Sequence, residues 1–306
     1  MYGVECQLHY LVSRRHKSII VELFFKIDGI LPKDDNEALS VRFRAMIVHG
    51  WKSTGWLWIA ATLFGFTTAR KGFSRRKFLT IKPLYLLADS QLLFRQGDKG
   101  VRERIRADLP STDPTAAYIG ASNGDNPEFY GLFTAAMEIM GLSRFRMVPA
   151  RLTDEHRAFL QEADLIVLAG GDVELGWHAF EQNGVKNLIS RKRYEGSVLV
   201  GVSAGALQLG LGALTQAPQP KILSTFGFAP FYVGAHAERD EWFDLRALVN
   251  LSKPGVRGIG IPAGGGAIYW PDGTLEPVRK PLIEFVRNEE QVSEGLILPS
   301  HPAGGV

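Results

Sequence analysis

Six residues, Gly201-Val202-Ser203-Ala204-Gly205-Ala206, set a hydroxyl nucleophile among small neighbours. They follow the apolar run Val198-Leu199-Val200 and precede a stretch of helical character over 204–212. A serine between glycines at a strand-to-helix junction reads as a nucleophile elbow, a sharp turn that holds the hydroxyl clear of its neighbours. Such a serine attacks carbonyl carbon. The amide of the next residue, Ala204, then faces the developing oxyanion. The bland reading of the same residues is a tight turn whose serine caps the helix.

A serine hydroxyl needs a base, and histidine is the usual one. Four histidines lie beyond residue 80. His156 stands among Asp154, Glu155 and Arg157 and reads as a surface residue. His178 lies early in a helix and suits packing or capping, and His301 falls in the tail. His236 ends the strand-like run Phe231-Tyr232-Val233-Gly234-Ala235, 33 residues after Ser203. A strand end beside the elbow is where a base belongs. The second oxyanion donor would come from Gly170-Gly171, where glycine lets the main chain approach a substrate closely. A simple strand-end turn explains the same pair. Chemistry of this kind requires neither a metal nor an organic cofactor.

The elements that must position these groups alternate. Residues 83–88, 116–120, 145–148, 165–169 and 197–202 read as short apolar strands. Between them, residues 126–141 carry helical periodicity, with Phe129, Phe133, Ala136, Met137 and Met140 on one face. Thr153 reads as the cap of another helix, and two short helices are expected between Gly171 and the elbow strand. Strand alternating with helix implies a parallel sheet covered on both faces, with its chemistry at the carboxyl ends of the strands. Further on, 238–250 reads as helix, while 258–261 and 266–270 read as strands. Pro271-Asp272-Gly273 reads as a hairpin turn.

Composition narrows the class. The chain has 306 residues, 45% hydrophobic and 22% charged, ordinary for a globular protein. The single cysteine, Cys6, excludes an intramolecular disulfide and a thiol at the elbow. With no sign of an oxidising compartment, a cytoplasmic location is expected. The net charge of +3 is uneven: residues 1–80 hold 13 Lys+Arg against 6 Asp+Glu, leaving 22 against 26 in the rest. No DNA- or RNA-binding motif accompanies this basic quarter. The cluster Arg70-Lys71 and Arg75-Arg76-Lys77 reads as a solvated linker. The apolar run 54–68 falls short of the roughly 20 residues that a spanning helix needs. Three regions are therefore expected: a basic, poorly ordered extension over 1–80, a catalytic domain over 81–298, and a flexible tail over 299–306.

From about residue 82 to 278 the chain resembles the serine peptidase family of aspartyl dipeptidase E and the cyanophycinases. Leu86-Leu87-Ala88-Asp89-Ser90 is similar to that family's first strand and turn. Ala169-Gly170-Gly171-Asp172 resembles its oxyanion loop, and 201–206 its nucleophile motif. Residues 230–236 resemble the segment carrying its base, and 258–262 the strand leading to its third catalytic group. The resemblance implies a three-layer α/β sandwich with a mostly parallel sheet, of the flavodoxin-like kind found in class I glutamine amidotransferases. It implies Ser203 as nucleophile, His236 as base, Gly170, Gly171 and Ala204 at the oxyanion hole, and a small peptide or isopeptide as substrate.

One departure stands out. Where the family carries an orienting glutamate, this chain reads Pro262-Ala263-Gly264, and no Asp or Glu lies between Glu195 and Glu238. Glu238, Asp240, Glu241 and Asp272 are possible substitutes, so the third acid is left unassigned. A cyanophycinase reading is weakened by Gly-Asp-Val at 171–173. A preference for N-terminal aspartate would require a cationic or amide-rich pocket, for which Asn123, Arg239 and Arg246 lie near the motifs. The missing acid also motivates a different class of function, a catalytically impaired binding domain. An α/β-hydrolase order Ser203, Asp272, His301 is a third reading, disfavoured by the absence of an HGGG-type motif.

Overall fold

Four short, largely apolar runs, Leu84–Leu87, Thr115–Ile119, Leu165–Leu168 and Val198–Val202, are buried on both faces and lie side by side in one sheet. The structure is a computed structural model. It describes residues 4–13, 18–27, 39–48 and 61–67 as strands, together with 81–94, 99–110 and 112–299. The chain divides into two compact units, Met1–Lys77 and Phe78–Val306. In the first unit, Val4–Ser13, Ser18–Ile27, Leu39–Val48 and Ala61–Thr67 pair antiparallel in sequence order. The readings made for residues 70–77 and for the tail from residue 300 lie outside the described residues.

The second unit is built on a seven-stranded sheet. Numbered along the chain, its strands are β1 (Leu84–Leu87), β2 (Thr115–Ile119), β3 (Arg144–Val148), β4 (Leu165–Leu168), β5 (Val198–Val202), β6 (Gly266–Tyr269) and β7 (Leu275–Val278). Their order in space is β7-β6-β1-β5-β4-β2-β3. The five strands from β1 to β3 are parallel, and β6 and β7 extend one edge antiparallel. The expected hairpin through Pro271-Asp272-Gly273 joins β6 to β7.

Side chains alternate between the faces of a strand, so each apolar run feeds two cores. Leu84, Leu86, Ile166 and Leu168 enter one, while Tyr85, Leu87, Leu165 and Val167 enter the other. The first core is closed by Leu160, Trp177, Phe180, Leu188 and Ile189 from the helices Asp154–Glu162, Val173–Gln182 and Val185–Glu195. The second is closed by Leu92, Ile105, Phe133 and Met137 from Gln91–Phe94, Lys99–Asp108 and Pro127–Ile139. This is the expected three-layer α/β sandwich with a mostly parallel sheet. The first two of the latter helices had no counterpart in the sequence reading: they are short and charged at their junction.

A second sheet pairs Tyr232–Ala235 in parallel with Arg257–Ile261, and then Leu282–Arg287 and Val292–Ile297 antiparallel. The helix expected over 238–250 is broken. A 3-10 turn at Glu238–Asp240 is followed by Glu241 and Trp242, both at positive φ, before the helix Phe243–Asn250. The break lets the Trp242 indole lie against Gly234 and Gly260, which face each other across the strand pair. A Cβ on Gly260 would come within 2.9 Å of that ring.

Candidate active site

Strands β1, β5, β4 and β2 are consecutive neighbours, and their carboxyl ends carry Asp89, Ser203, Gly170-Gly171 and the Ser122-Asn123 turn respectively. Polar groups converge there because parallel strands all end on the same side.

Ser203 follows β5 directly. Its amide donates to the Leu87 carbonyl at 2.9 Å, and its carbonyl accepts from the amides of Ala206 and Leu207 as the helix Ala204–Leu209 begins. The backbone is forced into φ 49°, ψ −113°, a conformation rarely adopted by a residue with a side chain. The flanking glycines are required by contact. A Cβ on Gly201 would sit 2.5 Å from the Gly205 carbonyl oxygen, and one on Gly205 would sit 2.2 Å from that of Leu168. The hydroxyl makes no capping bond to its helix. Instead, Ser203 Oγ lies 2.8 Å from His236 Nε2. The capping reading of this serine is therefore set aside by the geometry.

His236 terminates the strand Tyr232–Ala235, and its amide donates to the Ile261 carbonyl at 2.9 Å. It too has a positive φ, of 44°. The ring is exposed to solvent, whereas Ser203 is half-buried. For Nε2 to accept from the serine hydroxyl, the proton must reside on Nδ1. Among the described residues the ring makes no hydrogen bond to a carboxylate. Two of the acids in this region are occupied with the 262–264 turn: Glu238 Oε1 accepts from the Ala263 amide and Asp89 Oδ2 from the Gly264 amide, each at 2.6 Å. Asp272 lies in the β6–β7 turn, where bonds from Thr274 hold its carboxyl below the ordinary range.

The Gly170-Gly171 peptide is oriented from outside. Asn123 Nδ2 donates to the Gly170 carbonyl at 3.2 Å and to the Tyr118 hydroxyl at 3.0 Å. In a trans peptide the N–H points opposite to the carbonyl, so the Gly171 amide is turned away from Asn123. Gly171 has φ 130°, and a Cβ there would fall 2.1 Å from the Ser122 carbonyl oxygen. That same oxygen accepts from the Asp172 amide at 2.7 Å, and Asp172 caps the following helix by accepting from Leu175. Gln208, fully buried, braces the assembly by donating to Ser122 Oγ and the Val173 carbonyl. Sequence reasoning missed Gln208 and Ser122. The available signal was one amide side chain in an otherwise apolar helix.

His156 and His178 are engaged elsewhere. His156 completes a capping box with Thr153, and the exposed His178 lies 3.7 Å from Glu174 one turn away. His301 lies outside the described residues. Among the described residues no group of three His, Cys, Asp or Glu side chains could hold a metal, and no helix is long and apolar enough to cross a membrane.

A cavity of about 240 Å³ opens beside Ser203 and His236, walled by the ends of β1 and β4 and by the helix Pro127–Ile139. Asn123 lines it, as expected, but Arg239 and Arg246 do not. Arg246 is paired with Glu294 on the second sheet.

The fold is found in solved structures. A peptidase from an acI-B1 Actinobacterium superposes with a TM-score of 0.57 at 16% identity, covering 72% of this chain and 96% of its own. A putative peptidase E protein from Listeria monocytogenes EGD-e gives a TM-score of 0.50 at 17% identity, covering 66% of this chain and all of its own. No curated protein matches the chain. The model of peptidase family S51 matches residues 84–275, from β1 through the first residue of β7 and thus across every element that frames Ser203. The chain accordingly belongs to peptidase family S51 and is a serine peptidase.

Proposed function

We propose that Ser203 is the nucleophile and His236 the general base of this peptidase, and that its substrates are small peptides or isopeptides. The observation that carries this reading is the 2.8 Å contact between Ser203 Oγ and His236 Nε2, made by two residues both held at positive φ. Strain of this kind, costing about 1–3 kcal/mol per residue, persists where function requires the geometry.

In the proposed reaction Ser203 Oγ attacks the amide carbonyl as His236 Nε2 takes its proton. The tetrahedral oxyanion is held by the amides of Gly171 and Ala204, with Gly170 setting the orientation of the first. His236 then passes the proton to the leaving amine. Water, admitted because the imidazole is exposed, repeats the sequence to release the acyl group. With no carboxylate on Nδ1 among the described residues, the imidazolium is stabilised by solvent, and we assign the enzyme a Ser–His dyad. An oxyanion hole and bound substrate account for a residual rate even when a triad member is missing. A cytoplasmic location is part of the proposal, supported by the single cysteine of the sequence.

The absent carboxylate also favours a second reading, a fold that retains the site and binds without turning over. Intact-mass analysis after treatment with a small fluorophosphonate separates the two. A single adduct that disappears in Ser203→Ala supports the hydrolase. No adduct on the folded protein favours the binding domain.

A further inference from the structure

The cavity beside Ser203 carries information about what the site accepts. Its walls are formed mainly by Leu93, Phe94, Phe129, Leu132 and Phe133. Phe129 and Leu132 are half exposed, at 50% and 46%, on an amphipathic helix that buries Phe133, Ala136 and Met137. Large apolar side chains left open around a concavity mark a place where apolar surface is buried on binding. Among the described residues no lysine or arginine lines the cavity, and its only carboxylate is Asp89. Asn123, the one side-chain amide, already spends its donors on Gly170 and Tyr118. Apart from the His236 ring, assigned as the base, no described side chain lining the cavity is placed to neutralise an acidic side chain, and Asp89 would repel one.

We infer that the cavity receives an apolar, uncharged side chain flanking the scissile amide, of the size of leucine or phenylalanine, and discriminates against aspartate. This deepens the proposed function and rests on Ser203 being the nucleophile. The size follows from the volume. An apolar cavity of about 150 Å³ admits a benzene ring, so 240 Å³ holds one aromatic or branched side chain with part of its backbone.

The test is a panel of dipeptides carrying Leu, Phe, Asp or Lys on either side of the bond, assayed with wild-type protein and with Leu132→Arg. At one of the two positions Leu or Phe should exceed Asp and Lys in kcat/KM by roughly 10- to 200-fold, the range that an apolar contact supplies. Leu132→Arg should cut the Leu and Phe values about tenfold or more and narrow the gap to Asp. A wild-type preference for Asp or Lys at both positions, or no preference at either, overturns the inference. Fluorophosphonate labelling of the same wild-type sample distinguishes the failures. Labelled Ser203 with an Asp preference sinks the pocket assignment alone. Unlabelled protein that cleaves no dipeptide sinks the Ser203 reading, and the pocket assignment with it.

Discussion

Gly171→Ala probes the proposed oxyanion hole with a single methyl group. The new Cβ would lie 2.1 Å from the Ser122 carbonyl oxygen, 2.6 Å from its carbon and 3.0 Å from the Asn123 amide. All three are backbone atoms of a turn fixed by the Asp172 amide and by Gln208, so no side chain can swing aside. Opening 2.1 Å to the 3.4 Å of ordinary contact needs a shift of about 1.3 Å in the peptide that presents the Gly171 amide, and misplacement of a catalytic group by about 1 Å costs roughly 10²-fold. Removing one oxyanion donor outright costs about 10²–10³ in kcat, or roughly 2.7–4 kcal/mol. The φ of 130° adds strain of about 1–3 kcal/mol to the folded state. For a unit of this size that lowers Tm by roughly 2–12 °C. The assay is steady-state hydrolysis of the best dipeptide alongside thermal unfolding. The expected outcome is a folded protein with kcat down at least about 10²-fold and KM changed little. A variant with kcat within about threefold of wild type would refute the placement of the Gly171 amide.

Four further outcomes are expected. Gly131→Ala, at an exposed helical position where a Cβ meets nothing within 4 Å, should raise stability by about 0.5–1 kcal/mol in thermal unfolding. Trp177→Ala removes a fully buried indole packed edge-on against Phe226 at 4.9 Å and should cost about 3–5 kcal/mol in denaturant titration. Burial holds the Asp125 carboxyl above its ordinary value, with Oδ1 unpartnered, so its contribution to stability is full at low pH and is lost as pH rises through the raised value. Tm measured across that rise should fall less in Asp125→Asn than in wild type. Ser203→Ala, His236→Ala and the double variant should lose similar amounts of kcat, because nucleophile and base act as a unit; additive losses would contradict that.

The parallel sheet was legible because its strands are buried on both faces, which leaves uninterrupted apolar runs such as Leu165-Ile166-Val167-Leu168. The elbow was legible because the contacts at Gly201 and Gly205 tolerate no side chain. The proposed base was harder to see. His236 belongs to a second sheet, and its position depends on Trp242 lying over Gly234 and Gly260, a long-range contact that no local pattern records. The helix break at Glu241 and Trp242 was missed for the same reason, since tertiary packing overrides helical propensity there. Ala263 was read as standing where an acid is expected, and the hydrogen bonds made at its turn could not be read from the sequence. The carboxylates that take up its turn, from Glu238 and Asp89, come from 25 and 175 residues away along the chain. Phe129 was expected with the core-facing residues of its helix, yet it is half exposed at the cavity mouth.

The central claim is that Ser203 is activated by His236 without a carboxylate. Its most direct test is the rate at which a small fluorophosphonate modifies the protein, followed by intact mass and peptide mapping, for wild type, Ser203→Ala and His236→Ala. One adduct on Ser203 is expected in wild type and none in Ser203→Ala. Labelling should be slower by roughly 10²–10⁴-fold in His236→Ala, the range that a positioned base contributes. Modification at another residue, or a His236→Ala variant labelled as fast as wild type, would contradict the account.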